Sequence, residues 1–439
     1  MRTARVVMPV FPNRPLAAVL LAALAAHVLV RGIVPASTRV DTDFPSYFTA
    51  AQVVAEGQGA DRLYDIQWFQ EQMRRHRIGT PAEGKFSPLP PPTALLLLPL
   101  TPLGPLNALR VLTAVSALCL IGSIAVLARI LAWNVVDAAL LVLLSGWAVV
   151  NGVRLGQPYI LVSASCILGY YAYTRSRPWL AGTCLGLFTP LKYFPVIFLV
   201  YFAFLRHWRL VVGGALTIGA VVVVSIVVLG WKIHAQFLAS VLGSHLTANL
   251  AMQDPFAVAF QSFDSLYRRL FVFDAMANPQ PWVAAPSLQA AAVLVTKTVI
   301  FLVALTTLLR LSRSGRAHAT APSIGLLGIM ALLLAPATAT YHFVLLWLPL
   351  GLLVDSFLRA RCSVCAYALV GCYALMGFFP YRFTAPFAGR GGWTVLAYPR
   401  LLLLLTMFAV SVYCLWNWTE TATDLPKRPA PANRPAAHS

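Results

Sequence analysis

The chain carries little charge, and very little of that charge is negative. Of its 439 residues only 11% are charged and only 14 are acidic, whereas 59% are hydrophobic. A soluble protein of this length coats its domains with far more charged side chains, roughly 25% of all residues. The composition therefore excludes an ordinary soluble protein and indicates a chain whose solvent is mostly lipid.

The chain also lacks a cysteine framework and a pattern for binding nucleic acid. Most of its seven cysteines lie in apolar runs, and Cys362 and Cys365 form a lone C-x-x-C with no second pair and no histidine partner. We therefore predict no disulfide framework and no metal site. The net charge of +19 comes from short arginine clusters between apolar runs, and no basic patch is interleaved with aromatic residues. Nucleic acid is thus not a predicted partner.

What the chain does have is a series of apolar runs, many of them long enough to cross ~30 Å of hydrocarbon as helices. We predict an all-α, polytopic integral membrane protein with about twelve transmembrane helices. The predicted spans lie near residues 16–34, 107–128, 135–151, 158–174, 178–191, 193–205, 210–230, 286–309, 322–335, 342–358, 363–380 and 395–416. The short, proline-rich segment 91–103 is predicted to be re-entrant or interfacial.

The positions of the arginines orient these spans. Arginine clusters near residues 175, 206, 310 and 359 mark cytoplasmic loops under the positive-inside rule. A retained first helix with a cytoplasmic N-terminus fits the sequence better than a cleaved signal peptide. Residues 1–419 are then one transmembrane domain in the cell membrane, and 420–439 are a disordered cytoplasmic tail. Three long loops, 35–92, 231–286 and 379–393, face the extracytoplasmic side and are expected to contain short helices.

The acidic residues are concentrated in the first of these loops. Half of the 14 fall there: Asp41, Asp43, Glu56, Asp61, Asp65, Glu71 and Glu83. One interpretation is that this loop is simply the largest piece in water. The other is that Asp41 or Asp43, close to the end of the first span, performs chemistry at the membrane surface. Either aspartate could instead only cap the helix that is expected to begin at Pro45.

An ordered set of short motifs resembles a known family. The string from Asp43 to Ala51 (DFPSYFTAA), followed by Gly57 and Leu63-Tyr64-Asp65, resembles the opening of the polyprenyl-phosphate-mannose-dependent α-(1→2)-mannosyltransferases, glycosyltransferase family 87. Further motifs follow in the family's order over roughly residues 40 to 350. They are Phe86-Ser87-Pro88, Pro91-Pro92, Pro99-Leu100, Gly156-Gln157, Ala181-Gly182, Lys192, Pro195, Asn249, Gln261-Ser262, Arg268 or Arg269, Pro336 and Tyr341-His342.

The resemblance implies a GT-C-type membrane glycosyltransferase. It would transfer a hexose, mannose by resemblance, from a polyprenyl-phosphate donor to a lipid-linked or glycan acceptor on the extracytoplasmic side, with inversion and without a cofactor or metal. The implied catalytic residues are Asp43 as general base and His342. The implied substrate-binding residues are Asp41, Tyr47, Tyr64, Gln157, Lys192, Gln261, Arg268 and Arg269.

Each of these residues also has an ordinary structural interpretation. Taken singly, Lys192 could reach the interface as a membrane anchor and Gln157 could join two helices. His342 could bond the backbone at a helix end, and the two arginines could bind lipid head groups. The predicted topology, however, places the set on one side of the membrane, and this favours a common site. The alternatives to an enzyme are a multi-pass transporter or lipid flippase, and a non-catalytic scaffold for envelope assembly.

Overall fold

The protein is described by a computed structural model that covers residues 10–11, 13–41, 43–79, 84–246, 254–313 and 319–417. The structure is 76% helix, and the described residues contain no strand. The predicted all-α fold class is therefore confirmed. Some residues named above lie outside the described residues: Glu83, Asn249 and the predicted tail, 420–439.

The α-helices follow one another along the chain with short breaks. The first part contains α1 (Arg14–Val28), α2 (Val34–Thr38), α3 (Phe44–Ala55), α4 (Ile66–Arg75), α5 (Gly104–Leu131), α6 (Val135–Leu143), α7 (Trp147–Arg154), α8 (Tyr159–Thr174), α9 (Pro178–Leu187) and α10 (Val196–Phe204). The second part contains α11 (Trp208–Leu229), α12 (Trp231–Gln236), α13 (Leu242–Leu246), α14 (Phe263–Phe271), α15 (Pro286–Arg313), α16 (Thr320–Leu334), α17 (Trp347–Arg359), α18 (Ser363–Phe378) and α19 (Pro399–Trp416). All twelve predicted spans fall on helical segments.

Six helical segments among the described residues are long and apolar enough to cross a membrane. They are Arg14–Thr38, Pro91–Leu131, Trp208–Leu229, Pro286–Arg313, Thr340–Arg359 and Pro399–Trp416. The pair α6 and α7, bent by 74°, would add one more span, and α16 and α18 are shorter apolar helices. The chain thus has the helices of a polytopic membrane protein, while the number twelve stays a prediction. The proline-rich segment 91–103 forms two 3-10 turns, Pro91–Leu95 and Leu98–Leu103, that lead into α5.

Small residues allow close helix packing where the bundle is tightest. Gly182 of α9 lies against the backbone carbonyl of Leu210 in α11, so a side chain at residue 182 would collide with main chain. Without a hydrophobic driving force between helices in lipid, such close backbone contact is a main source of association energy. The contact between α9 and α11 therefore fixes the position of α9. The break that follows α9 carries Lys192.

The first and second long loops meet at one end of the bundle. Leu63, Phe69 and Phe86 of the first loop form a buried cluster with Leu229 and Ile233, at the end of α11 and in α12. An ion pair between Lys232 Nζ and Asp61 Oδ2, 2.6 Å apart, joins the same two regions. Short helices lie in both loops: α3 and α4 in the first, α12 to α14 in the second. The loops thus form one structure at the C-terminal end of α11.

The prediction for the cysteines was wrong in one respect. A disulfide joins Cys365 of α18 to Cys414 of α19. This pairing could not be predicted, because the two residues are 49 positions apart and Cys414 lies within an apolar run. Packing of α18 along α19 places the two sulfurs side by side.

Candidate functional site

Asp43 occupies the position just before α3, where an aspartate commonly caps the helix. Its side chain makes no capping hydrogen bond to the first turn of that helix. Instead, the amide Nε2 of Gln157 donates a hydrogen bond of 2.7 Å to Asp43 Oδ2. The interpretation of Asp43 as only a helix cap therefore lacks the bond that defines a cap. The carboxylate is held by a residue 114 positions away.

Gln157 links Asp43 to a tyrosine on the same helix face. Tyr47, four residues after Asp43, donates its hydroxyl proton to Gln157 Oε1 at 2.8 Å. Residues four apart lie one above the other on a helix, so Asp43 and Tyr47 both face the turn between α7 and α8. Because the amide oxygen accepts from Tyr47, the amide nitrogen must point at Asp43. Gln157 itself is buried.

Lys192 brings a positive charge into this cluster. It lies in the break between α9 and α10, and its Nζ donates to the Tyr47 hydroxyl at 3.0 Å. The ammonium also lies over two aromatic rings, 4.7 Å from the centroid of Tyr159 and 5.5 Å from that of Tyr47. Burial lowers the pKa of Lys192 to about 8, against the opposing effect of the Asp43 charge. Among the described residues, no carboxylate forms an ion pair with it.

His342 reaches the cluster through Tyr159. Nδ1 of His342 lies 2.8 Å from the backbone nitrogen of Ala339 and 3.1 Å from its carbonyl oxygen, and Nε2 forms a hydrogen bond of 2.7 Å with the Tyr159 hydroxyl. Tyr341 stacks on Tyr159 at 5.3 Å between centroids. His342 thus holds the ring over which Lys192 lies.

Two basic side chains outside the predicted site, Lys85 and His245, lie near the same groups. Burial lowers the pKa of Lys85, and the neighbouring Asp43 charge opposes that shift. Burial also lowers the pKa of His245, with a further contribution from Lys192, and its ring lies 6.4 Å from that of Tyr193. The one sequence feature that points to Lys85 is its position directly before the Phe86-Ser87-Pro88 motif. For His245 in α13 we find no sequence signal.

Asp41 has a different environment from Asp43. Its carboxylate pairs with the guanidinium of Arg154 at the end of α7, and Arg39 Nε lies 3.3 Å from its other oxygen. These two contacts fix the chain between the first span and α3. Asp41 therefore neutralises arginines, whereas Asp43 belongs to the network with Gln157 and Lys192.

Tyr64 lies in the first loop, beside the cluster that joins the two loops. Its hydroxyl donates to the carbonyl of Leu89 at 2.7 Å, and its ring contacts Phe86 at 5.3 Å between centroids. Burial raises the pKa of Tyr64, and the nearby Tyr193 adds to that effect. Tyr64 thus fastens the first loop and also borders Tyr193, the residue after Lys192.

The predicted residues of the second loop are engaged within that loop and with the late helices. The backbone N–H of Gln261 donates to the carbonyl of Thr338, and its side-chain oxygen accepts from the N–H of Arg400. Arg269 bonds the carbonyl of Phe256. Arg268 is close enough to Asp264 for their charges to interact, and Asp264 pairs with Lys297 at 2.6 Å. The structure does not bring either arginine into contact with Lys192 or His342.

Gly156 fixes the position of Gln157 relative to Asp43. Its φ is +62°, and a Cβ there would lie 2.6 Å from Cδ2 of Phe44. Gly156→Ala is expected to lower the free energy of unfolding by about 1–2 kcal/mol through the left-handed backbone alone. Displacing Phe44 also moves Asp43, so turnover should fall by about tenfold or more. Thermal unfolding in detergent and a transfer assay measure both effects.

Gly122→Ala in α5 is the matched control, because a Cβ there meets no atom within 4 Å. It should leave turnover unchanged and raise helix stability by up to about 1 kcal/mol. Equal effects of the two substitutions would contradict the role given to Gly156.

The described geometry brings two charged functional groups together in one cluster. Asp43 offers a carboxylate at the start of α3, and Lys192 offers an ammonium with no paired acid within the described part of the chain. Gln157 and Tyr47 connect them by hydrogen bonds, and the rings of Tyr47 and Tyr159 flank the ammonium. A carboxylate beside an anion-binding cation suits proton abstraction coupled to departure of an anionic group.

Comparison with known proteins identifies the family. No curated protein sequence matches the chain. The sequence model of glycosyltransferase family 87 matches residues 89–336. Gln157, Lys192 and Gln261 lie within that range, whereas Asp43 precedes it and His342 follows it. Because the match covers more than half of the chain, this protein belongs to glycosyltransferase family 87 and is a membrane glycosyltransferase.

Proposed function

We propose that this enzyme transfers mannose from a polyprenyl-phosphate donor to a lipid-linked or glycan acceptor, with inversion at the anomeric carbon and Asp43 as general base. The observation that carries the proposal is the hydrogen-bonded path from the Asp43 carboxylate through Gln157 and Tyr47 to the Lys192 ammonium. The path supplies the two charges that this transfer needs at one place. The identity of the sugar rests on the family resemblance.

The reaction assigns a distinct task to Asp43. Its carboxylate takes the proton from the acceptor hydroxyl as the acceptor oxygen attacks the anomeric carbon from the face opposite the phosphate. The bond between the anomeric carbon and the phosphate oxygen breaks, and the polyprenyl phosphate leaves with the bonding electrons. A positioned base contributes typically 10²- to 10⁴-fold to such a transfer. The Gln157 amide holds the carboxylate in place.

Lys192 receives the departing phosphate in this scheme. Negative charge grows on the phosphate as the glycosidic bond breaks, and a fixed ammonium in a water-poor site stabilises that charge strongly. The rings of Tyr47 and Tyr159 exclude water from the ammonium. His342 acts as a positioning residue, because it holds Tyr159 by the hydrogen bond to its hydroxyl. The His245 ring, near Lys192, is a second candidate to contact the phosphate.

The proposed site faces the extracytoplasmic side of the cell membrane. The support is the arginine distribution, which assigns the loop 35–92 to that side under the positive-inside rule. The first and second loops pack together through Phe69 and Ile233, so both would lie on the same face. A polyprenyl tail then remains in the bilayer while its phosphate reaches the loops at the surface.

Purified protein in detergent tests this proposal with a panel of radiolabelled donors. We expect transfer from mannosyl polyprenyl phosphate to a glycolipid extract, and no transfer from nucleotide sugars. Transfer from the nucleotide sugars alone would overturn the donor assignment. In proteoliposomes, lipid movement across the bilayer without any transfer would favour the alternative of a flippase.

The lowered pKa of Lys192 predicts the alkaline limb of the pH profile. The ammonium is charged below about pH 8 and loses its proton above that value. The pH dependence of kcat/KM reports the pKa values of the free enzyme. It should therefore decline above pH 8, roughly tenfold per pH unit. Bound phosphate favours the charged form, so the corresponding limb of kcat should lie at higher pH.

Lys192→Arg provides the control for this profile. Its guanidinium stays charged throughout the range, so whatever activity the variant retains should show no decline near pH 8. An identical alkaline limb in the variant and the wild type would assign the titration to another group.

A further inference from the structure

The C-x-x-C motif gains a third sulfur in the folded protein. Cys362 lies directly before α18, Cys365 lies in its first turn, and Cys414 lies near the end of the adjacent α19. The three sulfurs lie within 4.8 Å of one another. Cys365 and Cys414 form the disulfide, and the Cys362 sulfur is 3.7 Å from that of Cys414. The proposed glycosyl transfer uses none of these residues.

A structural cross-link between α18 and α19 needs two sulfurs, so the position of the third needs another explanation. In a tetrahedral zinc site with Zn–S bonds of about 2.3 Å, neighbouring sulfurs are about 3.8 Å apart. The distance between the sulfurs of Cys362 and Cys414, 3.7 Å, matches this sulfur–sulfur separation. Ligands three residues apart in a first helical turn point to the same side, as a shared ion requires.

The surroundings favour thiolates at this place. The N-terminus of the 16-residue α18 stabilises negative charge on Cys362 and Cys365. Arg361 directly precedes Cys362, and a zinc ion with three thiolates carries a net charge of −1. Sulfur ligands select zinc or copper(I) over magnesium or calcium.

We propose that Cys362, Cys365 and Cys414, once reduced, bind one zinc ion with three thiolates, and that the disulfide is the oxidised state of the same site. A dithiol reductant supplies two electrons and two protons to the disulfide and itself becomes a disulfide. Zinc then displaces three thiol protons, and water takes the fourth position. Topology predicts that this end of α18 faces the cytoplasm, where thiols are kept reduced.

Metal analysis of the reduced full-length protein tests the site. The protein is treated with a dithiol, equilibrated with zinc and desalted, and we expect about one zinc per chain. Cys362→Ser, Cys365→Ser and Cys414→Ser should each retain less than about a tenth of that zinc, since each removes one of three ligands. Cys372→Ser, further along α18 and outside the cluster, should retain it.

A second measurement needs no variant. Cobalt(II) added to the reduced wild type should give the intense near-ultraviolet absorption of cobalt–thiolate bonds, and oxidation to the disulfide should abolish it. Reduced wild type that retains neither zinc nor cobalt would overturn the proposal. So would zinc that persists equally in all three serine variants. Neither outcome bears on sugar transfer.

Discussion

Asp43→Asn is expected to lower turnover by about 10²- to 10⁴-fold, the usual contribution of a positioned general base. Asparagine keeps the size of the side chain and still offers one oxygen to the amide of Gln157. Folding should therefore survive, with a thermal midpoint close to that of the wild type. The loss should appear in kcat, because the base acts in the transition state. Steady-state transfer assays and thermal unfolding in detergent measure both properties.

Asp41→Asn is the matched control for this substitution. Asp41 is two residues away and carries the same charge, but it pairs with Arg39 and Arg154. Its loss should affect stability more than chemistry and lower turnover far less than Asp43→Asn does. Near-normal transfer by Asp43→Asn with an inactive Asp41→Asn would show that the other carboxylate is the base. If both variants were active, the base would lie elsewhere.

Lys192→Met should produce the second large effect. Methionine keeps the length and the apolar contacts with the rings of Tyr47 and Tyr159 but removes the ammonium. Loss of one preorganised group that stabilises transition-state charge costs about 10²- to 10³-fold in kcat. The buried charge itself is not needed for folding, so the variant should be at least as stable as the wild type. Single-turnover transfer with saturating donor measures the chemical step.

Lys232→Met is the control for charge removal. Lys232 also lies in the loop region, but it is 78% exposed and pairs with Asp61 on the surface. An exposed pair of this kind contributes about 0–1 kcal/mol, so the substitution should leave transfer nearly unchanged. Equal losses in Lys192→Met and Lys232→Met would mean that the general positive potential matters, and not a specific contact with phosphate.

The helical fold could be predicted well from the sequence, because long apolar runs can only be helices in lipid. The boundaries of α11 differ by two residues or fewer from the predicted span 210–230. The predicted span 135–151 instead forms two helices bent by 74°, since a sharp bend leaves the apolar pattern unchanged. Composition also gives no sign that α16 and α18 are short for a full crossing.

The site could be predicted only in part, because its contacts join residues far apart in the chain. Asp43 was recognisable from its neighbours in sequence. Gln157 and Lys192, taken singly, looked like ordinary membrane residues, and only the fold shows that both contact Tyr47. Tyr159 carried no signal, since one tyrosine in an apolar run is unremarkable until His342, 183 positions away, is seen to bond it. The third sulfur beside the C-x-x-C motif was hidden for the same reason.

The binding of unglycosylated polyprenyl phosphate to the two inactive variants tests the division of tasks between Asp43 and Lys192 most directly. The phosphate lipid is the leaving group without its sugar, so it reports the phosphate contact and not the base. We predict that Asp43→Asn binds it at least as tightly as the wild type, because a negative charge near the phosphate is gone. Lys192→Met should bind it more weakly, by about tenfold or more, since a charge-assisted hydrogen bond contributes about 1.5–3 kcal/mol. Weakened binding in Asp43→Asn together with unchanged binding in Lys192→Met would contradict the account.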